Sequence, residues 1–297
     1  MKRIMISGIL ALACVAMLMA QAPSTPAGQA RPAGQAAPAG QAAAGAPAQP
    51  AGPHPKSPEE LAALQALISA QQSPQPNPDT VIKDAEDLLT KFADTDYKEI
   101  ALTLEALAYE QKNDPTNEQV VWQRVLEVDP GSVPANLKMG GLLAKQTHPN
   151  DLDRDESIAK GQKYLNAAIA AIKADMAKSP QQVAQLKISE AEAHEDLGQL
   201  ALTKAQADKS PDPAKYEAAL TELRAAAAED PQDTYEFRVA YCLEAQGKHA
   251  EAVDATNKLL AKPPCTAGSD LATCLNPALK SFVTNVHDVA AKNAGAK

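Results

Sequence analysis

Proline sets the first limit on what this chain can become. From residue 58 onward, proline-bearing breakers recur at intervals: Asn77-Pro78-Asp79, Asn113-Asp114-Pro115, Asp129-Pro130-Gly131, His148-Pro149-Asn150, Ser179-Pro180, Ser210-Pro211, Asp230-Pro231 and Pro263-Pro264. Proline lacks an N–H and clashes with the preceding turn, so a helix starts at such a point or stops before it. The stretches between breakers carry apolar residues at helical spacing. Leu61, Leu64, Leu67 and Ile68 follow the cap Ser57-Pro58-Glu59-Glu60, and Val81, Ile82, Ala85, Leu88, Leu89 and Phe92 follow Pro78. No stretch alternates with period two for long enough to argue a strand. The expected fold class is all-α, built of helices in pairs.

Composition narrows this further. The 297 residues include one Trp, six Tyr and three Phe, and alanine supplies much of the apolar content. A large sandwich or barrel would need more β-branched and aromatic residues. With 37 acidic against 28 basic side chains the formal charge is −9. That balance, with so few rings for stacking, argues against a nucleic-acid partner.

The first 57 residues read differently. Met1-Lys2-Arg3 precedes an uncharged apolar run from Ile4 to Ala20, which is a secretory signal pattern with cleavage expected after Ala20. Lipidation at Cys14 and retention as an uncleaved anchor are the alternatives, and only through these would the chain touch a membrane. Residues 21–57 are nearly all Ala, Pro, Gly and Gln, with Pro-Ala-Gly-Gln-Ala starting at Pro26, Pro32 and Pro38. Such a segment offers nothing to bury and is read as a disordered linker. The expected location is therefore periplasmic or secreted, or membrane-tethered if lipidated.

Within residues 58–297 the helix pairs share a spacing. Ala106 is followed by Tyr109, Trp122 and Pro130; Ala240 is followed by Leu243, Ala252, Leu259 and Pro264. Leu197-Gly198 with Ala201, then Ala219, Leu223, Ala226 and Pro231, repeat the theme. Small residues permit close helix crossing, large ones fill the space between hairpins, and proline ends the second helix. This order of small, aromatic and proline positions resembles the tetratricopeptide repeat family, best over Val239–Ala252 and next over Leu104–Pro130. Glu118 stands where the family has alanine. The repeats beginning at Met139-Gly140 and at Leu197-Gly198 are longer than the family's, by extended helices or loops in the hairpin. Residues 58–92 fit loosely as a divergent first repeat. An irregular helical bundle is the competing architecture.

The resemblance implies a solenoid of stacked hairpins that binds a protein or peptide segment on a concave face lined by the first helix of each pair. In that register the face presents Thr103, Leu107 and Glu110, then Glu192, Glu195 and Gln199, then Phe237, Tyr241 and Glu244. The Lys and Asn clamp for C-terminal carboxylates is not carried over, since only Asn136 and Lys138 come near it. A purely structural spacer or self-assembling element is the alternative function, and an enzyme or metal-binding domain a more distant one.

No catalytic or cofactor motif emerges. His54, His148, His194, His249 and His287 form no helical zinc pair. Glu190 and His194 share a helix face but lack a third ligand. Asp151, Asp153 and Asp155 imitate a calcium loop that then fails at Glu156 and Gln162. The expectation is a non-enzyme without a cofactor or metal. Cys265 and Cys274 flank a short connection and are expected to pair in an oxidising compartment, whereas Cys242 lies among apolar neighbours as a buried thiol. Leu279, Phe282, Val283, Val286 and Val289 are read as the inner face of a last helix that caps the stack.

Overall fold

The computed structural model describes residues 53–207, 212–266 and 273–295, so the signal pattern, Ala20, Cys14 and the linker up to residue 52 lie outside the described residues. Among the described residues the regular structure is helical, apart from one isolated β-bridge between Pro264 and Leu275. Eleven α-helices follow one another: α1 (Pro58–Gln72), α2 (Pro78–Lys91), α3 (Lys98–Gln111), α4 (Pro115–Val128), α5 (Val133–Gln146), α6 (Arg154–Lys178), α7 (Val183–Gln206), α8 (Tyr216–Glu229), α9 (Asp233–Ala245), α10 (His249–Leu260) and α11 (Pro277–Gly295). Two single 3₁₀ turns, Pro180–Gln182 and Pro213–Lys215, precede α7 and α8. Ser57 caps α1 by accepting from the Glu60 amide at 3.1 Å, and Asn77 caps α2 through the Asp79 amide at 3.0 Å.

Two compact units divide the chain, one ending at Asp114 and the other beginning at Pro115. The boundary falls inside the Leu104–Pro130 repeat, between its two helices.

In the first unit α2 packs against both α1 and α3. Their core joins Leu64, Leu67 and Ile68 of α1, Val81, Ala85 and Leu88 of α2, and Ala101, Leu104 and Ala108 of α3. Residues 53–57, the tail of the segment read as disordered linker, are held against this core. Tyr97 donates its hydroxyl to the Pro53 carbonyl at 3.1 Å. Glu60, buried to 1% exposure, accepts from the Lys56 amide and the Thr95 hydroxyl, each at 2.6 Å. Both bonds go to a buried carboxylate and are charge-assisted, which offsets its desolvation.

In the second unit every helix packs on the next, and α5 also packs on α7 and α9 on α11. The length excess of the two long repeats lies mainly in helix: α6 has 25 residues and α7 has 24. Leu165 and Leu223 show what sets the spacing. A Cβ added to Gly140 of α5 would lie 2.4 Å from Leu165 Cγ of α6, and one added to Gly198 of α7 would lie 2.7 Å from Leu223 Cγ of α8. Gly140 and Gly198 stand 58 residues apart, as do Leu165 and Leu223. The two hairpins therefore repeat the same glycine–leucine lock at the same register. The space vacated by the missing Cβ is filled by a leucine that is fully buried in both cases.

The outer hairpin follows the shorter pattern. Gly247, at φ 73°, ends α9, and the Lys248 amide donates to the Leu243 carbonyl at 2.9 Å. Asn113, at φ 55°, ends α3 in the same way, with the Asp114 amide on the Tyr109 carbonyl at 3.0 Å. Left-handed residues that close a helix in this fashion are usually Gly or Asn. Tyr109 and Leu243 are the two positions that the repeat spacing aligns.

After α10 the chain turns through a closed loop. Cys265 and Cys274 are joined by a disulfide, with Cα atoms 4.9 Å apart. The Cys265 amide donates to the Leu275 carbonyl at 3.0 Å and the Leu275 amide to the Pro263 carbonyl at 2.8 Å. Closing so short a loop contributes roughly 2–3 kcal/mol in the chain-entropy account. It delivers the chain to α11, which buries Val283, Val286 and Ala290. Phe282 and Val289, expected on the covering face, are instead 62% and 43% exposed. They lie seven apart, along one edge of the buried stripe of α11.

Replacing Gly140 with Ala should destabilise the protein. Alanine gains about 1 kcal/mol of helix propensity, but the new methyl group must displace Leu165. The expected net loss is about 1–2 kcal/mol in thermal or urea unfolding; a stabilised variant would show that the helices part at no cost.

Candidate functional site

The repeat register places nine residues on one face of three helices, and the structure distributes them unequally. Thr103 and Leu107 of α3 are 5% and 7% exposed, so they offer little surface to a partner. Glu110, one turn on, is half-buried. These three belong to the first unit.

In the second unit α7, α9 and α11 supply the relevant side chains. Arg238 of α9 reaches back to α7, with Nη1 2.6 Å from Glu195 Oε1 and 2.6 Å from Gln199 Oε1. Gln206, further along α7, donates to the Tyr241 hydroxyl at 3.2 Å. The repeat register leaves Glu195 as an open acidic position because it gives Arg238 no role. In the structure the guanidinium neutralises that carboxylate, and the pair ties the first helices of adjacent hairpins together. Glu192 remains half-buried beside them.

Glu244 is committed in the same way. Its Oε2 lies 2.7 Å from His249 Nδ1 at the start of α10, and its Oε1 accepts from Asn293 Nδ2 of α11 at 2.7 Å. The side chain is 14% exposed. It fastens the last helix to the hairpin before it.

The aromatic residues keep open surface. Phe237 and Tyr241, four apart on α9, are both half-buried. Phe237 meets Phe282 of α11 with ring centroids 6.4 Å apart and planes inclined by 53°, a tilted contact of the favourable kind. Phe282, which apolar spacing assigns to the covering face, stands at the edge of the buried stripe. The pattern could have flagged it, since Val283, Val286 and Ala290 alone complete a buried stripe.

Beneath this face lies Asp196 of α7, 5% exposed. A Cβ on Gly141 of α5 would stand 2.7 Å from its Oδ2, so the carboxyl sits where these two first helices approach. Burial, reinforced by Glu195 and Glu192 and opposed by Lys145, holds the Asp196 carboxyl well above the usual carboxylate range. Tyr235, also buried, is raised by burial and by the charge of Glu195 and Asp230. The Cys242 thiol is fully buried and pushed up to about 12 by burial, so little thiolate forms at neutral pH.

His194 gains a partner the sequence did not reveal. Its Nδ1 lies 2.7 Å from Glu222 Oε2 of α8, while its Nε2 is 3.9 Å from Glu190 Oε1, which is itself 3.3 Å from Lys173 of α6. The two carboxylates sit on opposite ring nitrogens and so do not converge on one point. Asp151 accepts from the His148 amide at 2.6 Å, Asp155 meets Arg154 at 3.0 Å, and Asp153 accepts from Ser157 at 3.4 Å. Among the described residues no three His, Cys, Asp or Glu side chains are grouped as metal ligands.

Comparison of the sequence with protein-family models and with curated proteins finds no match.

Asp196 makes stability depend on pH in a definite direction. The folded chain keeps a proton that the unfolded chain, with an ordinary aspartate near about 3.9, releases. Stability should therefore be greatest below that value and fall as pH rises toward the folded value. Asp196→Asn should be more stable than the parent at pH 7, and the difference should shrink toward pH 4. Thermal unfolding at both values checks this; an offset equal at both would rule out the titration.

Proposed function

We propose that this chain is an exported, non-catalytic protein-interaction module whose hairpins stack as a tetratricopeptide-like solenoid. It binds a polypeptide segment on the face formed by α7, α9 and α11. The observation that carries this is the Phe237–Phe282 pair: two aromatic rings in contact, one of them 62% exposed, on α9 and on the last helix, α11, which packs against it. Large exposed rings of this kind are the usual anchors of protein interfaces.

The packing of α5 on α7 and of α9 on α11, with the Arg238 bridge between α7 and α9, supports the solenoid reading. Stacked hairpins bring their first helices side by side in this manner. Glu195 and Glu244 of the face are already paired, so recognition rests chiefly on the rings and on the Gln199 and Tyr241 polar groups. The Cys265–Cys274 disulfide supports placement in an oxidising compartment. Among the described residues no helix is long and apolar enough to cross a membrane.

Selection from a displayed peptide library against the whole chain tests the reading. Bound peptides should share one aromatic or branched apolar anchor, and Phe282→Asp should weaken them at least tenfold, a loss of about 1.4 kcal/mol. Because Phe282 is largely exposed and gives up the one ring contact with Phe237, the variant should unfold within about 1.5 kcal/mol of the parent. Peptides that bind the variant undiminished would contradict the site.

A further inference from the structure

We propose that a separate cleft, bounded by α4, α5 and α6, binds a short neutral saccharide. The cleft encloses about 580 Å³, within the range of roughly 300–1,000 Å³ typical of small-molecule sites. Its lining combines the apolar Met139 and Leu143 of α5 with the polar Gln119 and Gln123 of α4 and Tyr164 of α6.

Side-chain chemistry selects the ligand class. A carboxamide presents a donor beside an acceptor, which matches the vicinal hydroxyls of a sugar, since each of those also donates and accepts. Tyr164 donates its hydroxyl to Gln123 Oε1 at 3.3 Å. This fixes the Gln123 carboxamide and leaves its Nε2 to donate to a ligand. Among the described residues no protein partner engages the carboxamides of Gln119 and Gln146, which also line the cleft. The apolar side chains suit the C–H face of a sugar ring.

Charge excludes the obvious competitors. Asp151 and Asp153 outnumber the one cation of the lining, Lys160, which is itself paired with Glu156 at 2.7 Å. A phosphate or nucleotide would meet net negative charge. A peptide would find two apolar side chains, Met139 and Leu143, in the lining. This site uses residues other than Phe237, Tyr241 and Phe282, and it stands or falls independently of the aromatic face.

Saturation-transfer NMR on the whole chain, with N,N′-diacetylchitobiose and cellobiose as probes, tests the proposal. At least one disaccharide should receive saturation, and Gln123→Leu should weaken its binding at least tenfold while Phe282→Asp leaves it unchanged. Gln123 is exposed, so circular dichroism of the leucine variant should match the parent; Gln119→Leu serves as a second variant. Co-sedimentation with insoluble chitin or cellulose separates a polymeric glycan from a free sugar as the source, and either result supports the site. No transfer to either probe at millimolar concentration, or transfer undiminished in both leucine variants, would overturn it.

Discussion

A leucine side chain seated where a glycine has no Cβ governs the second unit. Gly140 meets Leu165 and Gly198 meets Leu223 at the same register of two successive hairpins. The helices can approach that closely only because the glycine adds no volume, and the leucine then excludes water from the gap. Interiors are packed to the density of organic crystals, so a single methyl group at such a contact is felt throughout the neighbouring helices. Arg238 of α9 reaches Glu195 and Gln199 of α7, and Phe237 reaches Phe282 because α11 packs on α9.

The helices are legible in the sequence where proline marks their ends. Pro78, Pro115, Pro149, Pro180, Pro231 and Pro263-Pro264 all lie at the start of a helix or between helices. The break between α9 and α10 carries no proline and depends on Gly247 at positive φ, while the break after Phe92 rests on the Thr95 and Tyr97 turn. Neither is visible as a periodicity change. The division at Asp114 is equally hidden, because the repeat pattern runs through it. Glu118, the departure from alanine in that pattern, is buried and accepts from Trp122 Nε1 at 3.2 Å; a local bond to the indole answers the substitution.

The candidate face is less legible, and the reason is physical. Helical spacing says which residues share a side, but it cannot say which charges find partners on another helix. Glu195 and Glu244 fall on the expected helices, yet each is held by a residue far along the chain, Arg238 in one case and Asn293 in the other. Phe282 falls on the expected helix but at the edge of its buried stripe, because Val283 and Val286, with Ala290, suffice to bury α11. The cleft of α4, α5 and α6 has no sequence signal at all. Its glutamines carry meaning only once three helices bring them together.

The most direct test of the glycine–leucine lock is a double-mutant cycle at Gly198 and Leu223, followed by chemical unfolding. If the leucine fills the space left by the glycine, Gly198→Ala destabilises the parent but is neutral or stabilising once Leu223 is Ala. The coupling should then be at least about 1 kcal/mol. Two effects that add to within about 0.5 kcal/mol would mean the residues do not share that space, and the register drawn from them would be wrong.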